Sequence, residues 1–229
     1  TAELIKIFIN IFLISNLTTA NYLSEISDIA DASWSDIETA LRMDKRIGKF
    51  SYIKPGLGIS GGNLERDLMN ISNFANINNL KIPIFNIFKK YSEFRKNWPY
   101  KIFNQKLKIN KKLRIRKVLI CGLTYKLNTH SIKNSPSINL INNLKKHNDL
   151  KVSCYDPNIK DLKTNNVKIL HSLKSSKEKY DFIFIMLPFK NIFKKYYFLN
   201  KIKKKTIIAD PFSVLDRSKI RSNELISLC

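Results

Sequence analysis

The polar side chains near the start of the chain stand in apolar surroundings. Between Glu3 and Ser15 only Lys6 and Asn10 are polar, and their spacing of four places both on one face of a helix. Asn21 lies three turns further along the same face. A polar stripe on a buried helix is costly unless something satisfies it. The stripe therefore predicts either a site for a ligand or partner, or an internal hydrogen-bond network.

A glycine-rich loop lies at residues 56–62. It holds four of the 6 glycines in the chain, and residues 56–61 match the pattern G-x-G-x-x-G. In a dinucleotide site that pattern follows a strand, opens a helix and precedes an acidic residue by about 20 positions. Here Pro55 precedes the loop, helices follow it, and residues 76–81 contain no acid. We predict that the loop does not bind the pyrophosphate of NAD.

Short apolar runs alternate with potential helices in the second half of the chain. Such alternation predicts a parallel sheet covered by helices on both faces. One helix, at residues 135–146, has Ser135 as its N-cap and Pro136 at its first position. The predicted strands are residues 118–122, 151–155, 167–170, 182–186 and 206–210.

The carboxyl ends of these strands are where such a sheet binds ligands. Four polar residues fall there and are expected near a pocket: Lys126, Ser131, Lys133 and Asp156. A single glycine, Gly122, ends the first strand, so this turn also lacks the full dinucleotide pattern. The sequence predicts no dinucleotide site in this chain and leaves its cofactor-binding residues unassigned.

Helices account for the first hundred residues. Residues 1–30 predict one helix that is apolar almost all round and therefore buried. Further helices are expected at residues 34–42, 64–79 and 84–96. The predicted organisation is a helical domain at residues 1–100, a basic linker at 101–116 and a Rossmann-like domain at 117–229.

Composition argues against several classes of protein. The formal net charge is +23, yet the lysines are spread along the chain and no nucleic-acid-binding motif occurs, so we expect a solvated basic surface and no nucleic acid. The 3 cysteines have no paired spacing, and the 3 histidines share no metal-ligand spacing, which predicts a reducing cytoplasm and no metal.

The apolar segment at residues 4–17 could be mistaken for a signal peptide or a membrane span. It is shorter than the roughly 20 residues that a spanning helix needs, and it carries Lys6 and Asn10. The chain also begins with Thr1 rather than Met. We expect the interior of a longer protein and no membrane segment.

Four ordered motifs together resemble the UDP-glucose/GDP-mannose dehydrogenase family. Residues 2–6, with Asn10 and Asn21, resemble its A-E-L-x-K-x-x-x-N helix, and residues 44–48 resemble its D-x-R-I-G. The stretch from Pro55 to Asp67 resembles P-G-x-G-F-G-G-S-C-x-P-K-D at the same span. Residues 122–126, 135–136 and 155–157 resemble the G-L-A-F-K, S-P and Y-D-P of its nucleotide-binding domain.

The resemblance implies a site for oxidation of C6 in a nucleotide sugar, for the synthesis of polysaccharide precursors. Lys6 and Asn10 would donate hydrogen bonds to the oxyanion at the reacting carbon, and Asp67 would orient a catalytic lysine or water. The implied substrate-binding residues are Arg46, Tyr52, Gly58, Gly61, Lys126 and Lys133, with the glycines allowing close approach of the sugar.

The resemblance also implies partners and a cofactor. The substrate would be a UDP-sugar or GDP-sugar, and the hydride acceptor would be NAD, although the NAD-binding domain of the family has no counterpart here. Arg46 would reach the sugar nucleotide of a neighbouring subunit, which implies a homodimer through the helical domain.

Asn63 departs from the family at the position of its nucleophilic cysteine. The motif matches without a gap on either side, and Cys121, Cys154 and Cys229 lie elsewhere. An amide cannot form the thioester through which the family oxidises the aldehyde. The residues before Asp67 also differ: Pro-Lys is replaced by Glu65-Arg66. Two readings therefore stay open: a dehydrogenase fragment whose complete oxidation is in question, or a non-catalytic module for sugar-nucleotide binding and dimerisation.

Overall fold

The computed structural model describes residues 1–109, 115–162, 166–174, 178–189, 202–216, 218, 220 and 224–228. Two compact units divide the chain, the first built from Thr1–Lys96 with Leu228 and the second from Asn97–Ser227. The basic segment that we predicted as a linker thus belongs to the second unit, and residues 110–114 lie outside the described residues.

Four helices form the first unit, as the sequence predicts: α1 (Ala2–Ile29), α2 (Trp34–Met43), α3 (Asn63–Ile77) and the first part of α4 (Pro83–Ile109). The side chain of Ser33 caps α2 by accepting a hydrogen bond from the N–H of Asp36 at 3.4 Å. Residues 1–96 are all described and contain no strand. No strand therefore precedes the glycine-rich loop, as one would in a dinucleotide site.

The core of the first unit forms where α1, α3 and α4 meet the glycine-rich loop. Ile14 and Leu17 of α1 pack against Ile59 of the loop, Leu68 of α3 and Phe88 of α4. A second cluster joins Ala20 of α1 to Trp34 of α2 and Ile53. These contacts hold the polar stripe of α1 toward the loop and α3.

The prediction that α1 is buried all round is wrong. Its opposite face carries large apolar side chains that are exposed to solvent in this chain: Leu4, Ile5, Phe8, Ile9, Phe12, Tyr22, Leu23 and Ile26. Of these, Tyr22 also stacks on Tyr91 of α4. We call these eight residues the α1 ridge. Lys6 is exposed as well.

The length argument against a membrane span also fails. Helix α1 has 28 residues and is long and apolar enough to cross a bilayer, which needs about 20. A core helix of a soluble protein meets the same criterion, so length and composition alone are weak evidence for a span.

Helix α4 is longer than the sequence indicates. It continues to Ile109 with Pro99 inside it, although proline removes one backbone donor and normally ends a helix. Packing offsets that cost, since Pro99 is buried and Phe103, fully buried, stacks edge-on against Phe182 with ring centroids 5.6 Å apart. The predicted linker at 101–116 is therefore helical through Ile109.

A six-stranded parallel sheet forms the second unit, as the sequence predicts. Its strands, in the spatial order β3-β2-β1-β4-β5-β6, have the order of doubly wound nucleotide-binding sheets. Every strand pair is parallel. The strands are β1 (Lys117–Cys121), β2 (Lys151–Tyr155), β3 (Val167–Ile169), β4 (Tyr180–Ile185), β5 (Ile202–Asp210) and β6 (Glu224–Ser227), of which the sequence did not indicate β6.

Helix α5 (Pro136–Leu144) follows β1 and begins as predicted. Ser135 is its N-cap, with the side chain accepting from the N–H of Ser137 at 3.2 Å, and Pro136 occupies the first helical position. Leu140, Ile141 and Leu144 form its buried face. The molecule is thus a helical unit followed by a parallel α/β unit.

Gly122, at the end of β1, is required by packing. Its φ is +103°, and a Cβ there would lie 2.8–2.9 Å from Leu187. We expect Gly122→Ala to lower the free energy of unfolding by about 2–4 kcal/mol, combining backbone strain with overpacking. Gly48→Ala is the control, because its φ is +85° but nothing lies within 4 Å of the added carbon. Urea denaturation should show the larger loss for Gly122→Ala; equal losses would contradict the packing argument.

Candidate functional site

Asp67 links α1 to α3 and is buried, with 2% of its surface exposed. The amide Nδ2 of Asn10 donates to Asp67 Oδ2 at 2.6 Å, and Nε of Arg66 donates to Asp67 Oδ1 at 3.1 Å. Both carboxylate oxygens therefore have a donor, which satisfies the buried charge. The described protein partners of Asp67 are the amide of Asn10 and the guanidinium of Arg66.

Lys6 and Asn63 lie one turn from this pair. Lys6 precedes Asn10 by four residues on α1, and Asn63 precedes Asp67 by four residues on α3, so each shares a helix face with its neighbour. Both are exposed. The structure thus brings Asn10 and Asp67 into contact and places the other two predicted catalytic residues on the same two helix faces.

Glu65 and Arg66, which replace the family's Pro-Lys before Asp67, each form an ion pair. Arg66 pairs with Asp67, and the carboxylate of Glu65 lies 3.6 Å from Nζ of Lys96 on α4. Lys96 is largely buried, and desolvation lowers the pKa of its ammonium group. The Glu65–Lys96 pair attaches the first turn of α3 to α4, whereas the Arg66–Asp67 pair lies within α3, at positions where the family has Pro-Lys.

Side chains hold both polar groups of Gly56, at the start of the glycine-rich loop. Its N–H donates to Oδ1 of Asn21 at 2.8 Å, and its carbonyl accepts from Nε of Arg95 at 3.0 Å. For Asn21 the alternative of an internal hydrogen-bond network is therefore confirmed. The polar stripe of α1 thus meets Asp67 at one end and the loop at the other.

Close packing inside the protein explains Gly58. A Cβ at this position would lie 2.6 Å from the carbonyl oxygen of Ser92 on α4, and its φ is +81°. Oγ of Ser92 also accepts from the N–H of Ile59 at 2.8 Å. The glycine requirement at 58 thus has a structural cause besides any approach of substrate. Gly61 is buried and has φ +82°.

Arg46 and Tyr52 lie in the segment between α2 and the glycine-rich loop. The side chain of Arg46 is 90% exposed, and its Nε and Nη2 donate to the two carboxylate oxygens of Asp44 at 3.0 and 2.6 Å. These bonds lower the pKa of Asp44. Tyr52 is 48% exposed. Neither has a described hydrogen bond to Asn10 or Asp67.

Asp156 organises the loop after β1 in the second unit. Its Oδ2 accepts from the N–H groups of Leu123 and Thr124 at 2.7 and 3.1 Å and from Oγ1 of Thr124 at 3.2 Å, while Oδ1 accepts from the N–H of Asn158 at 2.8 Å. Asp156 is buried. It supports the loop at the carboxyl edge of the sheet rather than presenting a free carboxylate.

The predicted ligand-binding lysines lie on that loop and are exposed. Nζ of Lys126 lies 5.5 Å from the ring centroid of Tyr125, and the carbonyl of Lys126 accepts from Oγ1 of Thr124. Lys133 and Ser131 are exposed beyond it, and the carbonyl of Ser131 accepts from the N–H of Tyr125. The loop therefore presents two flexible cations at the ligand-binding edge of the sheet.

The described residues do not fit NAD. In a dinucleotide site the acidic residue that ends the second strand accepts from the ribose, but Asp156 is already bonded to backbone N–H groups. The loop after β1 contains one glycine, and the glycine-rich loop of the first unit has no strand before it. Among the described residues no cluster of three His, Cys, Asp or Glu side chains could hold a metal ion.

Three residues that build this site escaped the sequence analysis: Glu25, Ser92 and Arg95. Ser92 and Arg95 stand on the buried face of α4, among Phe88 and Tyr91 at helical spacing. The available signal was a polar or charged residue on an otherwise apolar helix face, as on α1. Cys229, considered as a substitute thiol, lies outside the described residues.

Two family models match the chain. The model described as the central domain of the UDP-glucose/GDP-mannose dehydrogenase family matches residues 1–93. The model described as the UDP binding domain of that family matches residues 119–217. The two matches agree in order with the helical unit and the α/β unit.

Similar curated proteins and solved structures are nucleotide-sugar dehydrogenases. A UDP-glucose 6-dehydrogenase of Rickettsia prowazekii is 28% identical over 158 residues, covering 69% of this chain and 35% of the relative. A UDP-N-acetyl-D-mannosamine dehydrogenase of Methanococcus vannielii is 29% identical over 198 residues, covering 86% and 43%. The chain thus spans less than half the length of these relatives.

The fold is shared with solved structures of low sequence identity. A UDP-glucose dehydrogenase from Pyrobaculum islandicum has a TM-score of 0.78 at 20% identity, covering 99% of this chain and 50% of that one. An NDP-N-acetyl-D-galactosaminuronic acid dehydrogenase from Methanosarcina mazei has a TM-score of 0.81 at 19% identity, with 99% and 50% covered.

Asn10→Ala tests the bond that joins α1 to α3. It removes one donor from a buried carboxylate, so we expect the free energy of unfolding to fall by about 1–3 kcal/mol. Asn16→Ala on the same helix is the control, since Asn16 has no described hydrogen bond and alanine favours helix by roughly 0.5 kcal/mol. Urea denaturation measures the free energy of unfolding of both variants. An equal change in the two would mean that the hydrogen bond from Asn10 to Asp67 does not stabilise the protein.

Proposed function

The chain belongs to the UDP-glucose/GDP-mannose dehydrogenase family, and on that premise we propose that it supplies the active-site and UDP-binding units of a nucleotide-sugar 6-dehydrogenase. The observation that carries the proposal is the contact of Asn10 with Asp67 at 2.6 Å, with Lys6 and Asn63 on the same helix faces. The substrate is a UDP-sugar, consistent with the UDP-sugar dehydrogenases among its relatives.

In this proposal Lys6 and the amide of Asn10 stabilise the negative charge that develops on O6 of the sugar. Preorganised donors of this kind act strongly because they need no reorganisation during the reaction. Asp67 accepts from Nδ2 of Asn10 and thereby fixes the orientation of that amide. Asp67 is then a positioning residue for Asn10, and Lys6 is an exposed cation one turn away on the same helix.

Asn63 limits the chemistry of the site. Oxidation of the alcohol to the aldehyde needs no covalent intermediate, whereas the family's second oxidation passes through a cysteine thioester. A carboxamide at position 63 cannot form that bond. We propose that the site carries out the first oxidation and lacks the covalent route to the carboxylate.

A non-catalytic role is the second candidate, and Asn63 is the observation that favours it. In that role the chain binds a sugar nucleotide and a second subunit without oxidising the sugar. The two candidates differ in one assay. Protein isolated from its own cells should produce NADH from NAD and UDP-glucose if it is a dehydrogenase, and none if it is a binding module.

The second unit has the charge that a diphosphate requires. Between Asn97 and Ser227 the sequence has 29 Lys and Arg against 8 Asp and Glu, whereas residues 1–96 have 12 against 10. Such an excess raises the local concentration of anionic ligands. Lys126 and Lys133, exposed at the carboxyl edge of the sheet, are our candidates for the phosphate or sugar contacts.

NAD is the proposed hydride acceptor because the family is NAD-dependent. It would supply the oxidising equivalent for the alcohol. The described residues do not fit it, so we assign no residue of this chain to hold it.

We propose a homodimer formed through the helical unit. The α1 ridge presents two exposed apolar patches, at residues 4–12 and 22–26, and exposed patches of this kind mark protein interfaces. Arg46 extends from the same unit with its side chain 90% exposed, as a residue that reaches a neighbouring subunit would. Burying the α1 ridge against a second copy removes it from water.

A soluble cytoplasmic protein is the proposed setting. Cys121 and Cys154 are free thiols buried in neighbouring strands, and burial raises the pKa of both. Free buried cysteines suit a reducing compartment. The polar face of α1 packs against loop and helix within the first unit, as in a core helix of a soluble protein.

Lys126→Met tests nucleotide binding by the second unit. Isothermal titration of the 229-residue chain with UDP should show binding, and the variant should weaken it about 5–30-fold through loss of a charge-assisted bond. Lys151→Met is the matched control, because Lys151 is also exposed but begins β2 at the opposite edge of the sheet. Absence of UDP binding at millimolar concentration, or equal weakening by both variants, would contradict the assignment.

Phe12→Asp tests the dimer. The side chain of Phe12 is 72% exposed in the α1 ridge, so a carboxylate there should oppose burial against a second copy and yield monomers. Phe74→Asp on α3, 56% exposed and outside the ridge, should leave the dimer intact. Sedimentation velocity at micromolar concentration distinguishes the species. A monomeric parent chain, or a dimeric Phe12→Asp variant, would exclude this interface.

A further inference from the structure

We propose that Arg95 is a positioning residue: by fixing Gly56 between α4 and α1, it sets where α3 begins and so where Asn63 and Asp67 lie relative to Lys6 and Asn10. Arg95 is on α4 and touches none of these four residues in the described contacts. The inference rests on the proposed function only because that function assigns catalytic roles to these four residues. The positioning itself follows from the contacts of Arg95.

Arg95 is fully buried, which is unusual for a charged side chain. Its Nε donates to the carbonyl of Gly56 at 3.0 Å, and its Nη1 donates to Oε1 of Glu25 at 2.8 Å. The same oxygen of Glu25 accepts from the hydroxyl of Tyr91 at 2.8 Å. One guanidinium thus joins three segments: α4, the glycine-rich loop and α1.

Stability alone is a poor explanation for this arginine. Burying a guanidinium carries a large desolvation cost, and a well-packed apolar side chain often serves stability as well or better. Its Nη2 is also buried without a hydrogen-bond partner among the described residues. An apolar residue would avoid both costs but could not hold a carbonyl of the loop and a carboxylate of α1 together.

The loop is fixed at two points from the same face of α4. Arg95 holds Gly56, and Ser92, one turn earlier, holds the N–H of Ile59 while packing against Gly58. Asn21 of α1 holds the N–H of Gly56 from the other side. A loop bonded to both helices cannot slide along either of them.

The positions of Asn63 and Asp67 on α3 follow from the hydrogen bonds that hold the loop. Only residues 60–62 separate the last anchored residue, Ile59, from Asn63, the first residue of α3. Asp67 is one turn further and must meet Asn10 at 2.6 Å. The anchors at Gly56 and Ile59 together determine where α3 begins, because the chain between them and α3 is too short to absorb a shift of the loop.

The geometry requires arginine rather than lysine. A guanidinium offers donors along diverging directions from one rigid plane, so Nε and Nη1 reach two acceptors on different segments. An ammonium group is a single point charge on a flexible stem. Lysine at position 95 would keep the charge near Glu25 without fixing the carbonyl of Gly56 at the same time.

The reactivity of a thiol introduced at position 63 depends on where α3 begins, and measuring it requires neither NAD nor substrate. In the Asn63→Cys variant, with Cys229→Ser added, the thiol lies in the first turn of α3, where the helix terminus lowers its pKa. Its rate of alkylation by iodoacetamide is followed against pH. The modified peptide is identified by mass spectrometry, which separates it from the buried Cys121 and Cys154.

Arg95→Met in this background should move the midpoint of the alkylation profile upward by about 0.5–1 pH unit, toward an ordinary thiol. Arg95→Lys should move it in the same direction, and it keeps the assay usable if the methionine variant fails to fold. Arg42→Met is the matched control. Arg42 holds Glu38 and the carbonyls of Lys49 and Ser51, so its loss loosens a neighbouring loop but not Gly56.

An unchanged midpoint in both Arg95 variants would overturn the proposal. An equal shift in Arg42→Met would also overturn it, because the shift would then report general loosening of the first unit. Alkylation needs neither sugar nucleotide nor NAD, so failure here is distinct from failure of the dehydrogenase proposal, which the UDP titration and the NADH assay decide.

Discussion

The first unit depends on the way Gly56 is held. Asn21 accepts from its N–H and Arg95 donates to its carbonyl, so side chains supply both hydrogen bonds that a strand or helix would otherwise provide. Buried backbone groups need such partners. The loop can therefore be buried, irregular and fixed at once, and α3 begins from a defined point with Asn63 at its first position.

In the second unit, too, a buried side chain binds the backbone of a loop, and here that side chain is a carboxylate. Asp156 binds the N–H groups of Leu123 and Thr124 and so fixes the loop that presents Lys126. In both units a buried polar side chain holds a loop that carries residues with proposed roles. These groups serve the protein's own backbone, which explains why Asn21 and Asp156 are not free to bind a ligand, although their types and positions suggested that they would.

The sequence predicted the element types well, because periodicity and caps are local: all four helices of the first unit, α5 with its Ser135 cap, and five of the six strands in the described part of the chain. The sequence-based predictions failed for features that depend on tertiary packing. Pro99 stays inside α4 because the helix continues into the core of the second unit, and the α1 ridge is exposed because burial depends on a covering element. Asn10 was identified by its place in the polar stripe of α1 and by the resemblance, and Asp67 by the resemblance alone, whereas Arg95 belongs to none of the four motifs.

Amide hydrogen exchange measured by NMR tests the central claim, that side chains fix the glycine-rich loop. The N–H groups of Gly56 and Ile59 lie outside any helix or strand. Because Asn21 and Ser92 accept from them, they should exchange about as slowly, within roughly tenfold, as the buried amide of Leu68 in α3. Exchange at the rate of an unprotected loop would contradict the account and leave the position of α3 unexplained.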